Sequence, residues 1–164
     1  MNNQSFTRFA GLVLAIGFFI SCAGSKGPSV AELTEQGQYD LAVQKLDEQI
    51  SAAPEEEKAP LYLRKTEILG QWAEAIPAAS ERDSVYRVMR STISEGRSYT
   101  TDQQINNRFL NEADQSWNLE YEAGISRYED ESAGTRFSTA IAHFNNAIII
   151  DRERLSAYRS KSVA

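Results

Sequence analysis

Residues 37–54 read GQYDLAVQKLDEQISAAP, and a single amphipathic helix accounts for their pattern. Tyr39, Ala42, Leu46 and Ile50 recur at spacings of three and four and so share one stripe, with Asp40, Lys45, Asp47 and Glu48 mostly to its side. Pro54 cannot continue the helix, and Gly37 offers the permissive backbone that a tight turn between antiparallel helices needs. Such a helix cannot fold alone, because its apolar stripe has to be buried against a neighbour.

The pattern returns twice. Gly70, Trp72, Ala75 and Ile76 repeat the order of Gly37, Tyr39, Ala42 and Val43, each 33 residues further on. Phe137, Ala140, Phe144 and Ala147 give aromatic, small, bulky and small once more, with Phe137 98 positions after Tyr39. Turn glycine, aromatic, small residue, bulky apolar residue and closing proline together resemble the second half of a tetratricopeptide repeat, whose period is about 34 residues. The resemblance implies an all-α fold over residues 29–164: a short, irregular α-solenoid of antiparallel helix pairs.

Ser29 and Glu32 stand in capping-box spacing and open a short helix carrying Val30 and Leu33. Gly24, Gly27 and Pro28 prevent an earlier start, so the first repeat has a clipped first helix that serves as an N-terminal cap. Glu55–Lys58 is a charged turn or first turn, and Pro60 is tolerated if it lies at the start of the next helix, which carries Leu61, Ile68, Leu69 and Trp72. Pro77 breaks the second unit, since a proline inside a helix costs about 3 kcal/mol. The chain restarts with Ser80 as cap and Asp83 in the first turn, buries Val85, Tyr86, Met89 and Ile93, and stops at Gly96.

Thr101 and Gln104 repeat the capping-box spacing. From there Ile105, Phe109, Ala113, Trp117, Tyr121, Ile125 and Tyr128 recur mostly at every fourth position, which predicts one long helix or two joined near Asp114–Ser116. Their aromatic stripe reads as core in preference to a ligand groove. Glu129–Arg136 is an acidic, glycine-containing inserted loop. Leu155–Tyr158 opens a further helix, after which Arg159, Ser160, Lys161 and Ser162 supply the polar outer side of a cap, or the repeats run on beyond Ala164.

The N-terminus is read separately from the fold. Residues 1–21 carry one charge, Arg8, ahead of an apolar run from Phe9 to Ile20, and so form an export signal. About twelve apolar residues make a helix of roughly 18 Å, short of the roughly 30 Å hydrocarbon core. Phe19, Ile20, Ser21 and Cys22 resemble a bacterial lipobox, with Phe19 in place of the usual leucine. That resemblance implies cleavage before Cys22, acylation of Cys22 by chains such as palmitate, and a flexible tether over residues 22–28. Cys22 is the only cysteine, so neither a disulfide framework nor a thiol metal site can be built. Ala23 lacks the aspartate that some enteric bacteria use for inner-membrane retention, which favours the outer membrane. No acidic cluster follows of the kind used for surface export, so the expected face is the periplasmic one.

Removing residues 1–21 takes away Arg8 and no acid, leaving 16 basic and 23 acidic side chains and a formal charge of −7. Nucleic-acid binding is disfavoured, because phosphate contacts need clustered Lys and Arg. A negative surface instead suggests a partner with basic patches. No catalytic residue, cofactor or metal ligand is assigned. His143, the only histidine, is expected at the boundary of its helix or in solvent, and Glu55, Glu56 and Glu57 read as solvated surface. No phosphate loop, Ser/His/Asp signature or zinc motif is present. The expected function is therefore non-enzymatic: a lipid-anchored scaffold or adaptor that binds a protein or peptide, with no small-molecule substrate evident. The alternatives are a helical-repeat subunit of outer-membrane barrel assembly, or the docking arm of a longer envelope enzyme.

Overall fold

The computed structural model describes residues 27–164. The expected export signal and Cys22 lie outside the described residues. Among these the fold is all-α: α1 (Val30–Glu35), α2 (Tyr39–Ala52), α3 (Glu55–Ala75), α4 (Asp83–Ser98), α5 (Gln103–Glu129), α6 (Arg136–Ile150) and α7 (Leu155–Val163), with a single 3₁₀ turn at Ala79–Glu81 between α3 and α4. No helix among them is long and apolar enough to cross a membrane.

Local chemistry sets the first boundaries. Ser29 Oγ accepts from the Glu32 amide at 3.2 Å and Glu32 Oε2 accepts from the Ser29 amide at 2.6 Å, a reciprocal capping box on α1. Gly37 has φ +71°, the left-handed conformation that turns the chain from α1 into α2 without a Cβ penalty. Ala42, Val43, Leu46 and Ile50 are the buried face of α2. Pro54 then caps α3, so one proline ends a helix and begins the next.

Pro60 lies within α3, because that helix begins a turn earlier than its position suggests. Its missing N–H leaves the Glu56 carbonyl without an intrahelical donor, at an exposed turn where water can serve it. Gly70 is not a turn glycine either: it is buried inside α3, and the turn falls at Pro77. Ser80 sits in the 3₁₀ turn, and Arg82 takes the N-cap place of α4 with no side-chain cap bond. Gly96 does not stop α4, which runs on to Ser98; it is the point where α4 meets the ring of Phe109 and the Cβ of Tyr62. Asp102, not Thr101, caps α5, accepting from the Gln104 amide at 2.7 Å.

Packing joins α1 to α2, α2 to α3, α3 to α4, α5 to α6 and α6 to α7, and also α3 to α5 and α4 to α6. The central core gathers Leu33, Leu46, Ile68, Leu69, Tyr86, Met89, Trp117, Ile150 and Ala157 from all seven helices. A smaller cluster of Ile50, Tyr62, Leu63 and Phe109 fills the gap between α2, α3 and α5. α5 is one continuous helix, and Phe109 and Trp117 of its aromatic stripe are core. Phe137 departs from expectation: it is 43% exposed, edge-on to Tyr128 with Arg136 over its ring, so the buried face of α6 begins at Ala140.

Candidate functional site

Ser116, Glu120 and Gly124 follow one another at four-residue spacing on α5 and are all buried. Glu120 is therefore a carboxylate on a core-facing line, 0% exposed. An isolated charge there would be several kcal/mol unfavourable, so its partners decide whether the fold holds.

Four donors converge on it from the surrounding elements. Arg82 Nη1 and the Tyr86 hydroxyl each donate to Glu120 Oε1 at 2.9 Å. His143 Nδ1 lies 2.6 Å from Oε2, and Asn146 Nδ2 reaches the same oxygen at 3.3 Å. An ionised carboxylate only accepts, so His143 carries its proton on Nδ1. The donors are held in turn by the broken backbone beside Pro77: Arg82 Nε donates to the Ile76 carbonyl at 2.7 Å, and Asn146 Nδ2 donates to the Ala79 carbonyl at 2.8 Å. The proline break thus exposes carbonyls that the polar centre uses.

Burial raises the Glu120 pKa, but the hydrogen bonds from His143, Arg82 and Tyr86 outweigh it and hold the carboxyl below its ordinary range. Tyr86 is pushed well above the ordinary phenol value by burial and then by the Glu120 charge. The centre is consequently an ionised Glu120 neutralised by Arg82, with Tyr86 a permanent donor.

His143 is 7% exposed, which corrects the expectation of a boundary or solvent position. It nonetheless lines two adjoining clefts, of about 560 and 300 Å³, that share Pro77 and Arg127 with it. Ser80, Ser126, Ser138 and Thr139 rim these clefts, and none of their hydroxyls hydrogen bonds to His143; Ser138 donates to the Thr135 carbonyl. The geometry contains a fixed imidazole without a nucleophile on it. Among the described residues no group of three or more His, Cys, Asp or Glu is placed to hold a metal ion.

What the arrangement does is tie the α3–α4 connection, α4, α5 and α6 together at one point. Sequence reading missed it, although part of the signal was there. Glu120 follows Ser116 by four and Trp117 by three, and His143 and Asn146 flank Phe144 and Ala147 on the buried side of α6. In comparisons with family models, with curated proteins and with solved structures, nothing matches the chain.

Proposed function

We propose that the protein is a lipid-anchored interaction module of the bacterial cell envelope, a tetratricopeptide-like scaffold held at the outer membrane through Cys22 and facing the periplasm. The observation that carries this reading is the packing order. α1 packs on α2, α3 on α4, and α5 on α6, while α3 also meets α5 and α4 meets α6, an order that suits successive helix pairs. Stacked pairs of this kind build an extended surface suited to recognition. The first helices of the pairs, α3 and α5, are the proposed contact face for a protein or peptide partner. The Glu120 centre serves this function as a joint that keeps the second and third pairs in register across the Pro77 break.

Site-directed photo-crosslinking in intact envelopes tests the reading. Crosslinkers at exposed Gln71 on α3 and Asn111 on α5 should capture one and the same protein, and one at Ser156 on α7 should not. Mass spectrometry of the purified protein should show a diacylglyceryl adduct on an N-terminal Cys22, with Cys22→Ser leaving the membrane fraction. Turnover of an envelope substrate by the purified protein without a partner would overturn the scaffold reading, and an unmodified N-terminus at Ala23 or later would overturn the anchor.

A further inference from the structure

α4 carries a second row of side chains unrelated to its buried stripe. Arg87, Arg90, Ser91 and Ser94 recur at three- and four-residue spacing and line one wall of a groove of about 410 Å³. Ile149 of α6 and Arg152, just beyond its end, form the opposite wall. Three arginines and two hydroxyls thus face one concavity that no acidic side chain lines, in a protein of net charge −6.

The charge is available. Arg87 pairs with Asp83 one turn earlier, an exposed pair of little strength. Arg90 and Arg152 make no ion pair or side-chain hydrogen bond among the described residues, and Asp151, the acid next to Arg152, is engaged by Arg154 Nε at 2.9 Å and by the Glu153 amide at 2.9 Å. Arginine rather than lysine at all three places suits a planar anion, because the guanidinium fork meets both oxygens of a carboxylate at once.

We infer that this groove is a docking site for a short, acidic, extended segment of a partner protein. Side chains on one face of an extended segment repeat every 6.6 Å or so, and three or four residues of helix rise about 4.5–6 Å. The rise from Arg87 to Arg90, about 4.5 Å, is about 2 Å short of that repeat, a difference that two long arginine side chains can take up. An anionic membrane is the poorer fit. Adsorption to headgroups calls on a broad patch of about four to eight basic residues, whereas this basic groove is a local concavity on an acidic protein, and only a short ligand stays within one Debye length, about 8 Å at physiological salt, of its arginines. The surface is separate from the α3 and α5 face and does not depend on the reading proposed for it.

Fluorescence anisotropy of the purified protein with a labelled hexapeptide of alternating Glu and Ser tests the assignment. Binding should appear at low salt and weaken as salt rises. Joint replacement Arg90→Gln and Arg152→Gln should lower affinity by about tenfold or more, each single replacement should lower it too, and Arg159→Gln, which removes the same charge as either single replacement but on α7, should leave it unchanged. All three positions are at least partly exposed, and unchanged helicity by circular dichroism confirms that the variants are folded. Equal affinity of the double variant, no binding of the acidic peptide, or binding instead to phosphatidylglycerol vesicles through Arg90 and Arg152 would each overturn the proposal.

Discussion

His143 Nδ1 stands 2.6 Å from Glu120 Oε2, and the two residues come from helices that pack on each other, so the only histidine of the chain is spent on the one carboxylate that is wholly buried among the described residues. Two physical effects compete there. Desolvation opposes the charge, and four hydrogen bonds with one guanidinium favour it. The outcome depends on all partners being present, which makes the centre sensitive to single deletions.

Glu120→Ala should destabilise the fold by about 3–5 kcal/mol, because it leaves Arg82, only 13% exposed, with a charge whose acceptor is gone, and leaves His143 without its acceptor. Glu120→Gln keeps the shape and one carbonyl acceptor and should lose less. Urea unfolding followed by circular dichroism measures both, and an Ala variant within about 0.5 kcal/mol of the parent would mean that the centre contributes nothing to holding α4, α5 and α6.

The same carboxylate makes a pH prediction. Its folded pKa lies below the ordinary value of 4.5, so the unfolded chain binds the proton more readily. Glu120 therefore stabilises fully above the ordinary value, and that stability is lost as pH falls from there through the lower folded value. Glu112 has the opposite sign, since burial and then the Glu67 charge raise its pKa. The clean measurement is the difference between the parent and Glu120→Gln in urea at successive pH values. That difference should be flat above about pH 5.5 and shrink below the ordinary carboxyl range; a gap that stays constant through acid would show that the fold leaves the Glu120 pKa where the unfolded chain has it, and one that grows would show a neutral buried carboxyl.

Interactions within a few residues were legible in the sequence, and those across helices were not. Ser29 with Glu32, Gly37, Pro54 and Pro77 each act on backbone beside them, so their type and spacing located α1, the first turn, the end of α2 and the break before α4. The stripe from Ile105 to Tyr128 located α5 because a long period is hard to mistake. Gly70 and Gly96 misled, because a glycine that closes a turn and a glycine inside a helix look alike in one dimension, whether it admits a neighbouring ring as at Gly96 or meets only ordinary contacts as at Gly70. Arg82 and Glu120 are 38 residues apart, and nothing in either local pattern names the other. Net charge is likewise a sum over the whole chain and does not disclose the arginine row on α4.

Ala140 is 0% exposed on the α6 face, and Ala42 is 0% exposed on α2. Both hold the small position of the helical pattern, where a larger side chain has no room to turn. Ala140→Leu should overpack the helix interface and lower stability by about 1–3 kcal/mol. Thermal unfolding checks this, and an unchanged melting temperature would show that α6 can move away from its neighbours freely.

Three helix-interior glycines should respond to the same substitution with different signs. A Cβ on Gly96 would lie 2.5 Å from Phe109 Cζ and 2.6 Å from Tyr62 Cβ, and one on Gly124 would lie 2.5 Å from Phe144 Cε1. Phe109 and Phe144 are almost completely buried and cannot swing aside, so Gly96→Ala and Gly124→Ala should each cost about 1–3 kcal/mol through forced displacement of a ring. A Cβ on Gly70 meets nothing nearer than Ser116 Oγ at 3.7 Å and Met89 Cε at 3.9 Å, which is ordinary contact. There the general preference of a helix for alanine over glycine, about 1 kcal/mol, is free to act. Gly70→Ala should therefore raise stability by up to about that amount. Parallel urea unfolding of the three variants decides the matter: if Gly70→Ala is destabilised as much as the other two, α3 sits closer to α4 and α5 than its side-chain contacts indicate.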